Sequence, residues 1–350
     1  MEIFSLAIPK LHRAPLRVLA LCLLTGLALA CAPPAPDSAG ASAESASTSR
    51  STAPESATQP QDGPTGESVT LMTWNVKFLW DGEAPEDGDA DFPWKGNPQA
   101  ARAHMQEIAE RIRTVDPDIL GLVEVESLKA LKTFNQDFLA GAGYKAYLVE
   151  GSDSATGQDV ALLSKVDVLS MDRDPRKGKS GSTRKSVSKN YVAKLDLGGK
   201  KVGIVGLHFL ARPDRENRRD PRQAQAEAVS GMAQELVGQG RSVIVWGDFN
   251  DYDGEVLDHD DSRPITRVLE IIRDLDPSTS DDDLFNVAEK LSQNERYTVS
   301  FGRRGSRKTA IDHILVSPDL AEHITEVNIP HERAWRDASD HYPIVVRLDF

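Results

Sequence analysis

The chain has 350 residues, of which 39% are hydrophobic, and its formal net charge is -13. This length allows a substantial buried core, which excludes a chain that is disordered throughout. The acidic balance argues against a protein that binds nucleic acid by bulk attraction alone, although the distribution of charge matters more than its sum.

The N-terminal 30 residues have the pattern of an export signal. Basic residues between Lys10 and Arg17 precede an apolar run, 18–30, which is too short to span a bilayer comfortably as a helix. The run ends in the small-residue pattern Ala28-Leu29-Ala30. We therefore predict a signal peptide over residues 1–30.

The segment 27–31 resembles a bacterial lipobox, in which the cysteine is lipidated and becomes the new N-terminus. Ala28 replaces the more common leucine, so simple cleavage after Ala30 is the alternative. Outside the signal Cys31 is the single cysteine, and acylation would account for its unpaired thiol. Because Ala32 rather than aspartate follows Cys31, we expect an outer-membrane lipoprotein facing the periplasm or the cell surface, with secretion as the alternative.

Residues 31–67 and residues 68–350 differ in composition. After Cys31 the first segment consists mainly of Ala, Ser, Thr, Pro, Gly and Gln, which cannot bury enough apolar surface to offset chain entropy, so it is predicted to be a flexible tether. Nothing in the second segment indicates another linker, and we predict one domain there. No protein partner can be inferred, and a monomer is expected.

Apolar periodicity within this domain predicts more strands than helices. Residues at helical spacing predict helices through 105–112 and 229–236. Strand-like runs occur, in chain order, at 68–74, 119–123, 160–163, 191–197, 202–207, 242–246, 311–316 and 343–348. Their alternating and continuous apolar character indicates a mixed sheet system covered by helices.

Polar residues with chemical potential lie at the ends of these runs. Those that follow a run are Asn75, Glu124, His208, Asp248 and Asn250. Asp312 opens one run, and Asp340-His341 precedes another. Side chains gathered at the ends of separate strands are how a sheet scaffold assembles a site from distant sequence.

Short motifs around these residues follow one another in a fixed order. They are Thr73-Trp74-Asn75-Val76, Leu122-Val123-Glu124-Val125, Gly206-Leu207-His208, Gly247-Asp248-Phe249-Asn250, Ile311-Asp312-His313-Ile314 and Ser339-Asp340-His341-Tyr342-Pro343. Together they resemble the endonuclease/exonuclease/phosphatase superfamily, which includes deoxyribonuclease I, neutral sphingomyelinases and inositol polyphosphate 5-phosphatases. The resemblance implies an α/β fold, a four-layer α/β sandwich of two packed, mostly antiparallel sheets flanked by helices.

The resemblance also implies a cation site. Hydrolysis of a phosphodiester requires charge neutralisation on the phosphoryl oxygens, and a hard cation such as Mg²⁺ takes oxygen ligands. Glu124 is the implied metal carboxylate, Asn75 its amide neighbour, and Asp340 contributes to metal or phosphate geometry. Mn²⁺ or Ca²⁺ are alternatives to Mg²⁺.

The remaining motif residues are implied to act on water and the leaving group. His341 resembles the general base of the superfamily, with Asp312 accepting its ring proton. Asp248 and Asn250 are implied to orient the attacking water, and their spacing would project both to one side of an extended backbone. His208 resembles the acid of the deoxyribonuclease I branch. That branch supports this histidine with a glutamate, and Asp159 is the candidate replacement here.

Three basic stretches interrupt the acidic average, at 173–189, 212–222 and 303–308. The last two flank catalytic motifs, so we expect them to border the site, with Arg212, Arg303 and Arg304 as substrate-binding candidates. A basic border on an acidic body suits a nucleic acid whose phosphates extend beyond the scissile bond. Solvated loops with local ion pairs are the alternative.

These features predict a metal-dependent nuclease, an endonuclease that cleaves DNA and, as a second substrate, RNA. A sphingomyelinase-like enzyme or another phosphoesterase acting on a lipid or small phosphodiester is one alternative. It would use exposed apolar residues to enter membranes, for which Phe78-Leu79-Trp80 and Phe92-Pro93-Trp94 are candidates. A catalytically inactive, tethered binding module is the alternative of another class.

Overall fold

The computed structural model describes residues 67–83, 94–153, 156–276, 278–279 and 281–350. Its strands are β1 (Ser68–Leu79), β2 (Ile119–Val125), β3 (Lys145–Leu148), β4 (Asp159–Ser164), β5 (Val168–Asp172), β6 (Gly178–Ser180), β7 (Thr183–Lys185), β8 (Lys189–Leu197), β9 (Lys200–His208), β10 (Ser242–Asp248), β11 (Phe285–Asn286), β12 (Val299–Phe301), β13 (Arg307–Thr309), β14 (Asp312–Val316), β15 (Ile324–Asn328) and β16 (Ile344–Asp349). The α-helices are α1 (Pro98–Val115), α2 (Leu128–Phe138), α3 (Arg219–Gly238), α4 (Val268–Arg273), α5 (Pro318–Ala321) and α6 (Arg333–Ala338).

Two six-stranded sheets form the centre of the domain. Their strand orders are β15-β16-β1-β2-β4-β3 and β11-β14-β10-β9-β8-β5. In each sheet one central pair is parallel, β1 with β2 and β9 with β10, and the other pairs are antiparallel. Because the carboxyl ends of parallel neighbours meet at one edge, each sheet presents the residues after its central pair together.

The sheets pack face to face through a tightly fitted centre. A Cβ added to Gly121 on β2 would lie 2.8 Å from the Trp246 ring on β10, so the absence of a side chain at Gly121 allows this approach. The buried Trp246 indole donates a hydrogen bond to the Tyr191 hydroxyl, at 2.8 Å between Nε1 and the oxygen. This satisfies the polar atoms that large aromatic residues bring into a core.

Helices cover the outer faces of both sheets. Along β10, Ile244 and Trp246 belong to the core that both sheets share, whereas Val243 and Val245 belong to the core under α3 and α4. This alternation follows from the two-residue period of a strand. The first sheet is covered by α1, which begins after Asn97, whose side chain accepts a hydrogen bond from the Ala100 amide at 3.1 Å.

The sandwich predicted from the motifs is confirmed. Each predicted strand overlaps an observed strand, and their ends differ by no more than a few residues. Both predicted helices lie inside longer helices. The proposed signal peptide, Cys31 and nearly all of the tether lie outside the described residues. None of the helices in the described ranges is both long and apolar enough to cross a membrane.

Candidate functional site

Strand pairing brings the polar residues of the sequence motifs to one edge of the sandwich. His208 and Asp248 are register partners in the parallel pair β9–β10, and Asp248 is also opposite Asp312 in the antiparallel pair β10–β14. Asn75 and Glu124 lie in the parallel strands of the other sheet. The topology therefore builds one site from both sheets.

Asn75 connects the two halves of this site. Its side-chain nitrogen donates to Glu124 Oε1 at 3.3 Å and to Asp248 Oδ2 at 3.2 Å. Its side-chain oxygen accepts from the Lys77 amide at 3.1 Å, which fixes the amide orientation. Asn75 is 1% exposed, so these contacts hold a carboxylate from each sheet next to a buried amide.

The backbone adopts left-handed conformations at several site residues. Glu124 has φ 68°, Lys77 has φ 50° and Asn250 has φ 51°. Such conformations are uncommon for residues other than glycine, and they concentrate where function requires a specific side-chain direction. Here Lys77 and Glu124 coincide with register irregularities in β1 and β2, and Asn250 lies two residues after β10.

The turn at Asn250 corrects one expectation from the sequence. β10 ends at Asp248, and the Asn250 amide donates to Asp248 Oδ1 at 2.8 Å. The backbone is therefore not extended between the two residues, and alternation does not place their side chains. Instead, the Asn250 side-chain amide donates to the Phe209 carbonyl at 3.3 Å, beside His208.

His341 and Asp312 form a hydrogen-bonded pair. His341 Nδ1 lies 2.7 Å from Asp312 Oδ2, and Asp312 is 3% exposed. Burial alone lowers the pKa of His341, but the carboxylates of Asp312, Asp248 and Asp340 outweigh it and raise this pKa to about 10. In the metal-free protein His341 is therefore protonated at neutral pH, and a nearby cation would lower its pKa by repulsion.

The pKa values of the neighbouring carboxyl groups are also raised, which in an acid favours the uncharged form. Burial, followed by repulsion from Asp312, raises the pKa of Asp248 to about 7. Burial likewise raises the pKa of Glu124, against the lowering effects of His341 and Asn75. Crowded carboxylates with raised pKa values supply the oxygen ligands that a hard divalent cation takes.

Three residues have ligand atoms close enough together to hold a metal ion, and two of them, Asp312 and His341, are hydrogen-bonded to each other. Ligand atoms of Asp248, Asp312 and His341 all lie within 4.8 Å of one another. Because Asp312 and His341 are hydrogen-bonded to each other, we interpret them as a proton-transfer pair. Glu124 and Asn75, which contact each other beside Asp248, remain the candidate cation ligands.

His208 differs from His341 in its surroundings. Its Nε2 lies 3.6 Å from Asp248 Oδ2, and its Nδ1 is buried with no hydrogen-bond partner in the described part of the chain. Burial, then the charges of Lys189 and His341, lower the pKa of His208 well below its ordinary value. The ring is therefore a neutral hydrogen-bonding group in the metal-free protein.

Asp159 does not replace the supporting glutamate of the deoxyribonuclease I branch. Its Oδ1 accepts a hydrogen bond from the Gly151 amide at 2.8 Å, while His208 Nδ1 has no partner among the described residues. The neighbour of His208 that the sequence did not identify is Lys189, its register partner in β8–β9. Lys189 is 6% exposed, and its ammonium contacts Asp153 Oδ2 at 3.2 Å.

The basic stretches divide between the surface and the interior. Arg212, Arg303 and Arg304 are exposed, and none of them forms an ion pair within the described ranges. In contrast, Arg222 is fully buried and donates to the Phe249 carbonyl at 2.9 Å and to Asp251 Oδ2 at 3.2 Å. Arg222 thus stabilises the loop after Asp248 rather than contacting substrate, which no local sequence signal indicates.

Asp340 lies at the exposed side of the site. Its Oδ2 lies 3.2 Å from Lys77 Nζ, and both side chains are substantially exposed, at 58% and 38% respectively. Next to it, His341 forms an isolated bridge with Val299 at the start of β12. The β12–β13 hairpin, which joins its strands through Arg303 and Arg304, therefore begins beside the catalytic pair.

Comparisons with solved structures find the same fold. The AP endonuclease from Archaeoglobus fulgidus has 18% identity and a TM-score of 0.56, with 81% of this chain and 100% of that chain covered. Truncated Caenorhabditis elegans TDP2 has 21% identity and a TM-score of 0.51, covering 81% and 98%. A 3′ phosphatase, NExo, from Neisseria, bound to a product DNA hairpin, has 18% identity and a TM-score of 0.53, covering 81% and 100%. At these identities the likeness concerns the fold.

A search of curated proteins by sequence gives no match. The model of the Endonuclease/Exonuclease/phosphatase family matches residues 72–341, which include every candidate site residue named above. The chain therefore belongs to the endonuclease/exonuclease/phosphatase family of divalent-metal-dependent hydrolases that act on phosphoester bonds.

Proposed function

We propose that this protein is a Mg²⁺-dependent phosphodiesterase that acts as an endonuclease on DNA, and on RNA as a second substrate, outside the cytoplasm. The observation that carries the proposal is the convergence of both sheets on one site. There, a candidate cation site (Asn75, Glu124) adjoins a proton-transfer pair (Asp312, His341).

The surface around this site supports a polyanionic substrate. Arg212 lies in the loop after His208, and Arg303 and Arg304 lie at the turn of the hairpin that begins beside His341. Cations without an ion-pair partner remain available for phosphates on either side of the scissile bond. A substrate with a single phosphate would have no use for them.

The proposed reaction is a one-step hydrolysis by water in line with the leaving oxygen. Glu124 and Asn75, with Asp340 at the exposed side, would hold the cation, which neutralises charge on the phosphoryl oxygens when bound. His341, held by Asp312, takes the proton of the attacking water, and Asp248 and Asn250 orient that water. His208 donates its ring N–H to the leaving oxygen, and the negative phosphate beside it favours the protonated ring.

We also propose that the protein is exported and anchored through a lipid on Cys31, at the outer membrane. The basic and apolar pattern of residues 1–30 and the absence of other cysteines after the signal support this. Mass spectrometry of the protein from its membrane fraction tests it. A diacylglyceryl-modified Cys31 is expected, whereas an unmodified N-terminus at Cys31 would indicate simple secretion.

A plasmid assay of the full chain tests the activity. Supercoiled plasmid, linear DNA, RNA and sphingomyelin are each incubated with Mg²⁺ or with EDTA, and the His341→Ala variant serves as the control. We expect nicking of the closed plasmid by the native chain, which EDTA and the substitution both stop. Cleavage of sphingomyelin alone would indicate a lipid phosphodiesterase instead, and no hydrolysis of any substrate would favour an inactive binding module.

A further inference from the structure

A cleft of about 450 Å³ adjoins the segment that carries His341, and of its lining residues only Asp340 has a role in the proposed reaction. Its inner edge is formed by Ser339 and Asp340, which directly precede His341. Its walls come from α1, α6, the β12–β13 hairpin at Ser300 and the segment before α1 at Trp94. A group attached to a phosphate at His341 would therefore lie next to this cleft.

Trp94 gives the cleft an aromatic wall. Its indole stacks on the His104 ring, with 4.6 Å between ring centroids and 27° between planes. Trp94 Nε1 donates to the Phe78 carbonyl at 2.7 Å, and the ring of His104 is hydrogen-bonded to the Val76 carbonyl at 2.9 Å. Both rings are thus fixed in orientation by the strand that carries Asn75.

The exposure of Trp94 is unusual in this protein. All five tryptophans lie in the described part of the chain, and the other four are at most 6% exposed. Trp94 is half-buried and lines the cleft. A partly exposed aromatic ring that is fixed in orientation is the kind of surface on which nucleic-acid-binding proteins stack bases, whatever the base identity.

Polar groups around the ring supply both donors and acceptors. Arg336, which also hydrogen-bonds Tyr342, offers donors, while Glu107 and Asp337 offer acceptors. The charge of Asp340 is offset by Lys77 at 3.2 Å. The edges of nucleobases carry donors and acceptors together, so this mixture suits a base better than it suits a purely apolar group.

We propose that this cleft binds the nucleoside next to the scissile phosphate, with Trp94 as the surface on which its base stacks. The proposal rests on the proposed phosphodiesterase function and names the substrate class of that site. A quaternary ammonium headgroup would also contact the Trp94 ring, but it offers no partner for Arg336. Arg303 and Arg304, on the same hairpin as Ser300, would meet the next phosphate.

Hydrolysis of small chromogenic diesters tests the cleft in the full chain. The substrates are methyl p-nitrophenyl phosphate, the 3′- and 5′-(p-nitrophenyl phosphate) esters of thymidine, and p-nitrophenyl phosphorylcholine. We expect Trp94→Ala to raise KM for one thymidine ester about five-fold to a hundred-fold and to leave methyl p-nitrophenyl phosphate unchanged. Trp94→Phe should restore most of the affinity.

Tyr147→Ala is the matched control, because Tyr147 is also a half-buried aromatic but lies on the outermost strand of the first sheet. It should leave KM for every ester unchanged. Equal KM values of Trp94→Ala and the native chain for both thymidine esters would overturn the proposal. So would a loss confined to p-nitrophenyl phosphorylcholine, which would assign the cleft to a lipid headgroup.

A binding measurement separates this proposal from the proposed activity. In EDTA, thymidine 5′-monophosphate should quench the tryptophan fluorescence of the native chain but not of Trp94→Phe, because the remaining tryptophans are buried. Absence of quenching in the native chain would overturn the cleft assignment. Quenching without hydrolysis of any ester would support the cleft while refuting the phosphodiesterase proposal.

Discussion

The two sheets share one plan but contribute different chemistry to the site. Each has a central parallel pair, and the residues at its carboxyl end meet those of the other sheet. The β1–β2 end supplies oxygen donors, Asn75 and Glu124, whereas the β9–β10 end supplies His208 beside Asp248. The topology thus brings the ends of both central pairs to the same site. The identity and burial of the residues there then assign cation binding to one end and proton transfer to the other.

Burial sharpens this division. The first end adjoins the exposed pair of Lys77 and Asp340. The second end is closed, since His208 is 8% exposed and Lys189 fills the adjacent position on β8. Substitutions on the two ends should therefore fail in different ways.

The largest expected effects come from one candidate cation ligand and one proton-transfer residue. Glu124→Ala and His341→Ala should each reduce turnover by about a thousand-fold or more, because each removes a separate requirement of hydrolysis. Plasmid nicking measures turnover, and circular dichroism checks that the fold remains. Turnover near the native level in both variants would refute the site assignment.

His208→Ala should have the next largest effect, about a hundred-fold on DNA cleavage, if His208 assists the leaving oxygen. A p-nitrophenolate leaving group needs no proton, so cleavage of methyl p-nitrophenyl phosphate should change far less. The ratio of the two losses is the measurement. Equal losses on both substrates would show that His208 acts on the phosphate or the fold instead.

Asp312→Asn should shift the titration of His341. The Asp312 carboxylate is the largest contribution that raises the pKa of His341, so its removal should lower this pKa from about 10 by more than about one unit. NMR titration of the imidazole in metal-free protein measures the shift. An unchanged pKa of His341 would mean that Asp248 and Asp340 are sufficient to raise it without Asp312.

Asp248→Asn should stabilise the metal-free protein above neutral pH. The folded pKa of Asp248, about 7, exceeds its ordinary value, so its contribution to stability is present at low pH and is lost as the pH rises through 7. At about pH 8 the substitution should raise the free energy of unfolding by at least about 1 kcal/mol, with little change at about pH 3. Urea unfolding in EDTA measures both values.

The control for this prediction is Asp253→Asn. Asp253 is buried too, but Arg273 and Asn286 outweigh the effect of burial and lower its pKa. Its ionised form therefore stabilises the fold, and the substitution should destabilise at about pH 8. A destabilised Asp248→Asn under the same conditions would contradict the electrostatic account of the site.

The smallest effects should come from the exposed cations. Arg303→Ala and Arg304→Ala should each raise KM for DNA a few-fold and reduce the slope of log affinity against log salt by about one. Lys201→Ala is the matched control, because Lys201 is exposed at the opposite end of β9 from His208. A salt slope that is unchanged in the arginine variants would exclude phosphate contacts there.

The long strands were predictable from the sequence because a strand that is buried on both faces is a nearly continuous run of apolar residues. β10 is an example, since each of its residues from Val243 to Trp246 is buried. Short strands such as β6 and β12 were not predictable, because an alternation of apolar and polar residues over so few positions cannot be distinguished from a loop. The helix α2 was likewise missed, although Ser127 caps it through the Ala130 amide.

The site was predictable to the extent that its residues end strands. Asn75, Glu124 and His208 were found in this way, since a strand end fixes the edge at which a side chain lies. The position of Lys189 depends on pairing between β8 and β9, and the burial of Arg222 depends on a loop distant in sequence. Those are tertiary facts, so a basic stretch that is counted residue by residue cannot reveal them.

The contact between Gly121 and Trp246 has a consequence for how such a site evolves. Glu124 and Asp248 are carried by different sheets, so the distance between them depends on the spacing of the two sheets. That spacing is set by the packing of core residues such as Gly121 and Trp246. A methyl group at Gly121 would widen it without altering any catalytic residue. Catalytic geometry in this protein is therefore inherited from packing, and core residues far from the phosphate are subject to selection for reactivity.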